Sequence, residues 1–171
     1  VFAILSPNPE YIALSVNMMS VIASSFTVLF LFWTITGIAR RLLDFEKNDA
    51  YTQILVLVAG LVGAVGFAYT DSFWYNAVEA EVYAMATCIL SILFWLGLRW
   101  EADMDKSRGE RWLVLIAFVV GLSFGVHFMG LLTIPAIGML YYFKTAETIT
   151  PKGFILFSYT HLTLPTSTHG G

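Results

Sequence analysis

From Ile12 to Ile38 the chain runs 27 residues without one charged side chain. A stretch of that length matches the roughly 30 Å hydrocarbon core of a bilayer, which takes about 20 apolar residues at ~1.5 Å each. Inside lipid every backbone N–H and C=O has to be satisfied within its own segment, so such a run has to be helical. Three more apolar runs follow, at Ile54–Tyr69, Val82–Leu98 and Leu113–Phe143. Composition agrees: 58% of the residues are hydrophobic and 12% charged, with a mean hydropathy of +0.75. The fold class is therefore all-α, a polytopic transmembrane helical bundle of about four to five spans. The net charge of −3 says little, because what matters in a membrane protein is where the charges sit; the bilayer is the expected surrounding, and no nucleic-acid partner is expected.

Each run carries its own constraints. The first is longer than a perpendicular span needs, so it tilts or protrudes. Pro7 and Pro9 delay its start to about Tyr11. Asn17 and Ser20 lie three apart on one face near that start, where they either contact a neighbouring helix or serve a site. The second run is short, and Gly60, Ala64 and Ala68 form a small-residue stripe along it, which serves close helix packing rather than chemistry. Leu113–Phe143 as one helix would reach about 46 Å. Pro135 lacks the amide that would bond back to Leu131, so two short helices meeting near His127–Gly130 are predicted. Cys88, the one cysteine, sits inside an apolar run and reads as a small buried hydrophobe, with no disulfide within the chain.

Both ends read as cut. Val1 opens in the middle of an apolar phrase, and Ser158–Gly171, with His161 and His169, resembles translated adapter sequence more than a natural segment. Residues 1–157 are read as a fragment of a transmembrane domain and 158–171 as a non-native tail.

Orientation follows from Lys and Arg. The connectors Arg40–Gln53 and Arg99–Arg111 hold three and four of them, whereas Val1–Tyr11 and Asp71–Tyr83 hold none. The connectors are predicted to face the cytoplasm. Asp71–Tyr83 then faces outside, and so does His127 if Leu113–Phe143 is a hairpin.

Asp71–Tyr83 is the stretch with chemistry. Within thirteen residues it carries Asp71, Glu79, Glu81, Asn76, Phe73, Trp74, Tyr75 and Tyr83. Carboxylates are costly at a membrane boundary, so they call for a partner or a task. The stretch is either an ordinary loop with an aromatic belt or the rim of an active site. On a helix, Glu79 and Glu81 would stand on opposite faces; in an extended loop they would share one. No cofactor follows from these residues, and a divalent metal ion held by the pair stays open only if the loop is not helical. His127 reads either as a helix-packing residue or as a group that meets a phosphate.

Three runs carry a family resemblance: Val16-Asn-Met-Met-Ser20, Ser72-Phe-Trp-Tyr-Asn-Ala-Val-Glu-Ala-Glu-Val-Tyr83, and Gly121-Leu-Ser-Phe-Gly-Val-His127 with Pro135. Together they resemble a bacterial polytopic membrane family, formerly a domain of unknown function, that is grouped with the protein O-mannosyltransferase-like glycosyltransferases of the GT-C superfamily. The resemblance covers nearly all of residues 1–157, and the second run is the most specific. It implies a partial GT-C-like domain in the bacterial inner membrane, with the acidic-aromatic loop on the periplasmic side. It also implies transfer of a sugar, mannose being one option, from a polyprenyl-phosphate donor to a protein or glycan acceptor on the outer face. The family's first outer loop with its essential acid would lie upstream of Val1, so this stretch alone is expected to be inactive. His127 occupies the position where related enzymes place a basic residue against the lipid phosphate. Glu81 and Glu79 are the catalytic candidates; Asp71, Trp74, Tyr75, Asn76, Tyr83 and His127 are the substrate-binding ones. The rival reading is a transporter or flippase subunit for a lipid-linked substrate, against which stands the placing of ionisable groups at helix ends rather than near the midplane.

Overall fold

The computed structural model describes residues 11–43, 49–106, 109–146 and 150–163. Seven α-helices make up the described chain: α1 Ile12–Leu42, α2 Ala50–Ala68, α3 Asp71–Val78, α4 Val82–Asp103, α5 Gly109–Ser123, α6 Thr133–Thr145 and α7 Pro151–Thr163. A 3-10 turn, Phe128–Leu132, joins α5 to α6. The described residues form no strand, as the apolar runs require.

Three helices, α1, α2 and α4, are long and apolar enough to cross a membrane. In their most apolar windows only 22%, 17% and 33% of the residues are buried within the chain. A helix of a soluble bundle keeps its apolar stripe inward and its outer face polar. Here Leu14, Phe26, Leu57, Val62 and Phe94 all point outward, so hydrocarbon rather than water suits these faces, and the chain is an integral membrane protein. The arms of the fourth apolar run, α5 and α6, hold 15 and 13 residues. That is about 22 and 20 Å, short of a ~30 Å core for either alone.

Residue pairing sets the directions. Ala23 packs with Ala84 and Cys88, Phe30 and Trp33 meet Trp95, and Arg41 reaches Leu98 and Glu101, so α1 and α4 run parallel. α2 returns antiparallel along α1. A Cβ at Gly60 would overlap Thr36 and touch Phe32, and one at Gly63 would fall 2.6 Å from Ile35, so these glycines let the backbones approach. The predicted stripe is realised: Gly60 and Ala64 are buried against α1 and Ala68 is half-buried. Asp49 caps α2 by accepting from the Tyr51 amide at 3.3 Å. The core of the other half is Leu93, Leu96, Trp100 and Ile116, where α5 and α6 pack on α4. Trp100 stacks on Tyr141 with ring centroids 6.2 Å apart.

The basic end is knit by ions. Arg41 pairs with Glu101 and donates to the Leu98 carbonyl at 2.9 Å; Lys106 meets Asp103 at 2.6 Å; Lys144 lies 3.5 Å from Asp105. Arg40, Arg41, Arg99, Lys106, Arg111 and Lys144 thus share one end of the bundle, and α3 lies toward the other.

The break in Leu113–Phe143 falls where it was predicted, but Pro135 does not make it. Pro135 is the third residue of α6, in a first turn whose amides have no intrahelical partner anyway. The chain leaves the helix twelve residues earlier, after Ser123. Ser123 Oγ donates to the Val120 carbonyl at 2.6 Å, and the His127 amide reaches the Ser123 carbonyl at 2.7 Å. α7 runs past Phe157 into the part set aside as a tail, as far as Thr163; residues 164–171, His169 among them, lie outside the described residues.

Candidate functional site

The acidic-aromatic stretch folds as one short helix and a turn, not as an early start of α4. Thr70 leaves α2 in extended conformation and Asp71 opens α3, its carboxylate placed favourably at the positive end of the helix. Phe73 anchors α3, buried against Phe67 of α2 with ring centroids 4.6 Å apart. Trp74 stacks on Tyr69 with planes 10° apart and centroids 6.0 Å apart, leaving over half its surface exposed. Tyr75 is exposed too, whereas the Asn76 amide is tied to its own helix, donating to the Ser72 carbonyl at 2.9 Å.

After Val78 the chain turns. Glu79 and Glu81 both have extended backbones, and the Glu81 amide donates to the Glu79 carbonyl at 2.9 Å, closing a three-residue turn about Ala80. The two carboxylates therefore stand at the two ends of one turn, the non-helical alternative, and the opposite-faces geometry does not apply. Both side chains are exposed at the mouth of the bundle. The condition for a metal held between them is met, yet among the described residues no three His, Cys, Asp or Glu side chains come together as a metal cage. A carboxylate pair alone, without further ligands, does not fit a protein-built site for a divalent ion.

Residues 44 positions apart in sequence then meet. Tyr83, in the first turn of α4, lies against His127 with ring centroids 5.6 Å apart. The break between α5 and α6 delivers His127 there. His127 has extended backbone, and its Nδ1 accepts the Met129 amide at 3.3 Å, capping the 3-10 turn. With Nδ1 used as acceptor, the neutral ring carries its proton on Nε2 and keeps a donor for a ligand, an assignment that follows from the bond network. The break is pinned to α4 by Gly130, whose missing side chain leaves room for Ser123 and for Leu93. Thr133 Oγ1 donates to the Gly130 carbonyl at 2.6 Å and holds the start of α6.

Beside α3 lies a cavity of about 220 Å³, bounded by Val21, Ser24, Val28, Phe73, Trp74 and Ala77. Ser24, 5% exposed, has an Oγ with no hydrogen-bond partner among the described residues, and so has the fully buried Ser20 one turn earlier. Sequence reasoning singled out Asn17 and Ser20 but not Ser24. The spacing Ser20, Ser24, Thr27 is one helical face of small hydroxyls and was the signal available. The structure thus gathers Asp71, Trp74, Glu79, Glu81, Tyr83 and His127 at the end away from the arginines, with Asn76 turned to the backbone.

A family model described as the protein O-mannosyl-transferase TMEM260 N-terminal domain matches residues 1–150. The chain belongs to that family. Searches among curated proteins and among solved structures return no match. The family match spans α1 to α6, including both parts of the site, and ends before α7. It makes the chain a domain of a glycosyltransferase family, in agreement with the resemblance read from the three sequence runs.

Proposed function

We propose that this domain of the protein O-mannosyl-transferase TMEM260 N-terminal family forms part of the site that moves a sugar from a polyprenyl-phosphate donor to an acceptor hydroxyl of a protein or glycan. The observation that carries it is the meeting of Tyr83 and His127, beside the Glu79–Glu81 turn, at the end of the bundle away from the described arginines. In such a transfer the acceptor oxygen forms a bond to the sugar's anomeric carbon while the bond from that carbon to the phosphate oxygen breaks. The phosphate leaves with the electron pair, and a carboxylate takes the acceptor proton. Glu81 is the candidate base, because it directly precedes the turn of α4 that carries Tyr83. Glu79 supports it or holds the acceptor. His127 Nε2 is the donor for the leaving phosphate, and Trp74, Tyr75 and Tyr83 offer flat faces for the sugar or the prenyl chain. Asp71 is the further candidate for holding the acceptor, while Asn76, bonded to the Ser72 carbonyl, steadies α3. No step runs through a metal ion. The positive-inside asymmetry supports a site facing the periplasm from a bacterial inner membrane, with mannose as the sugar suggested by the family description.

The test uses the full-length protein and a lipid-linked sugar donor. Glu81→Gln is expected to abolish transfer with membrane insertion intact, and Glu79→Gln to cost clearly less. His127→Ala is expected to raise the donor KM, with part of the loss restored in His127→Lys. Equal, mild effects from both glutamate variants together with normal donor use by His127→Ala would make the stretch an aromatic-acidic surface loop.

A further inference from the structure

At the opposite end of the bundle α1, α2 and α4 enclose a cavity of about 580 Å³, which the transfer reaction does not use. Its size falls within the roughly 300–1,000 Å³ of small-molecule sites. Its walls divide into two chemistries. Toward the membrane lie Phe32, Trp33, Leu57, Trp95 and Leu98; at the mouth stand Arg40, Arg41 and Arg99. The aromatic wall is braced by ring contacts. Phe30 meets Trp33 and Trp95 edge-on at 5.3 and 5.4 Å, and Trp95 meets Trp112 at 6.3 Å.

The three arginines are not equally committed. Arg41 is held by Glu101 and by the Leu98 carbonyl. Arg99 lies over the Trp112 ring, its guanidinium carbon 5.5 Å from the centroid, which fixes the side chain without neutralising it. Among the described residues no carboxylate lies within ion-pair distance of Arg40 or Arg99, although Asp103, bonded to Lys106, also feels the Arg99 charge. Two helices therefore bring guanidinium groups to the rim of a cavity walled by aromatic and aliphatic side chains, at the basic end of the bundle. Basic side chains at the end of a span usually only satisfy the positive-inside bias. That bias requires no cavity and no aromatic wall beneath the charges.

We propose that this cavity is a binding site for an anionic phospholipid of the leaflet at the basic end. Its phosphate sits between Arg40 and Arg99, and the first part of an acyl chain lies along Trp33, Trp95 and Leu57. Basic pockets between transmembrane helices take such head groups, and guanidinium matches phosphate in geometry as well as charge. Bound there, the lipid bridges α1 and α4 on the side where α2 closes over them.

The test reconstitutes the full chain in phosphatidylcholine vesicles and titrates phosphatidylglycerol with brominated acyl chains. The readout is the excess quenching of tryptophan fluorescence over that from equally brominated phosphatidylcholine. Arg40→Gln and Arg99→Gln are each expected to weaken the preferential quenching about fivefold. Arg40→Lys, which keeps the charge, should retain most of it. Arg111→Gln removes the same charge from the same end but lies outside the cavity, and should leave the titration unchanged. Equal losses in Arg111→Gln and Arg40→Gln would overturn the proposal in favour of a diffuse surface attraction. Displacement of the lipid by free glycerophosphate at equal concentration would overturn it in favour of a soluble phosphate ligand.

Discussion

Gly130→Ala tests whether the break between α5 and α6 is a built joint. A methyl group at Gly130 would overlap the Ser123 hydroxyl, fall 2.6 Å from Ser123 Cβ and lie 3.6 Å from Leu93 Cδ1. Leu93 is fully buried and Ser123 is 1% exposed, so neither has space to yield. Overpacking a site of this kind costs about 1–3 kcal/mol. The clash involves Cβ as well as Oγ, so Ser123→Ala should relieve it only in part. Ser123→Gly removes both atoms, at a helix-propensity cost of at most about 1 kcal/mol at the last residue of α5. The double variant Gly130→Ala/Ser123→Gly should therefore be less destabilised than the sum of its single variants, with a coupling of about 1–3 kcal/mol. The assay is unfolding of the purified chain in mixed micelles with increasing dodecyl sulfate, followed by tryptophan fluorescence. Strict additivity, or a Gly130→Ala variant within about 0.5 kcal/mol of the parent, would refute the joint.

Gly60→Val should cost about 1–3 kcal/mol in the same assay, because its side chain would meet Thr36 and Phe32 between α1 and α2. Gly66→Ala, with nothing within 4 Å of its Cβ, should be neutral or stabilising, and an equal loss at both positions would deny the packing stripe. Arg41→Ala breaks a pair whose side chains are 40% and 21% exposed, so a loss of about 1 kcal/mol is expected; adding Glu101→Gln should cost less than Glu101→Gln does alone, the remainder being the contact of Glu101 with Lys144 at 3.9 Å. Fully additive losses would mean that the pair contributes nothing by itself. Cysteines at Ser72 and Asp105, in a Cys88→Ala background, should react with an impermeant thiol reagent from opposite faces of sealed vesicles. Reaction of both from one face would contradict the placing of α3 away from the basic end.

The apolar runs alone determine that this chain is helical and lies in a membrane, because hydrocarbon leaves the backbone no alternative to internal hydrogen bonding. The small-residue stripe of α2 and the clustering of Lys and Arg at one end were legible for the same reason: both depend on spacing along a helix or on the order of the segments, which the chain itself carries. The site was legible only as a list of residues. Ala80 between two glutamates is good helix-forming sequence, and nothing local stops α3 from continuing into α4. The turn there is a tertiary decision. Phe73 docks on Phe67 while Ala84 and Cys88 dock beside Ala23, and one straight helix cannot satisfy both contacts. Pro135 was the strongest local signal in the last apolar run, yet the chain leaves the helix at Ser123, where Gly130 closes onto Ser123 and Leu93. That closure depends on residues 37 positions apart, and so does the meeting of Tyr83 with His127 across 44. Contacts at such separations are formed by the packing of helices whose rotation and depth no single segment specifies, which is why only the tertiary structure could set them.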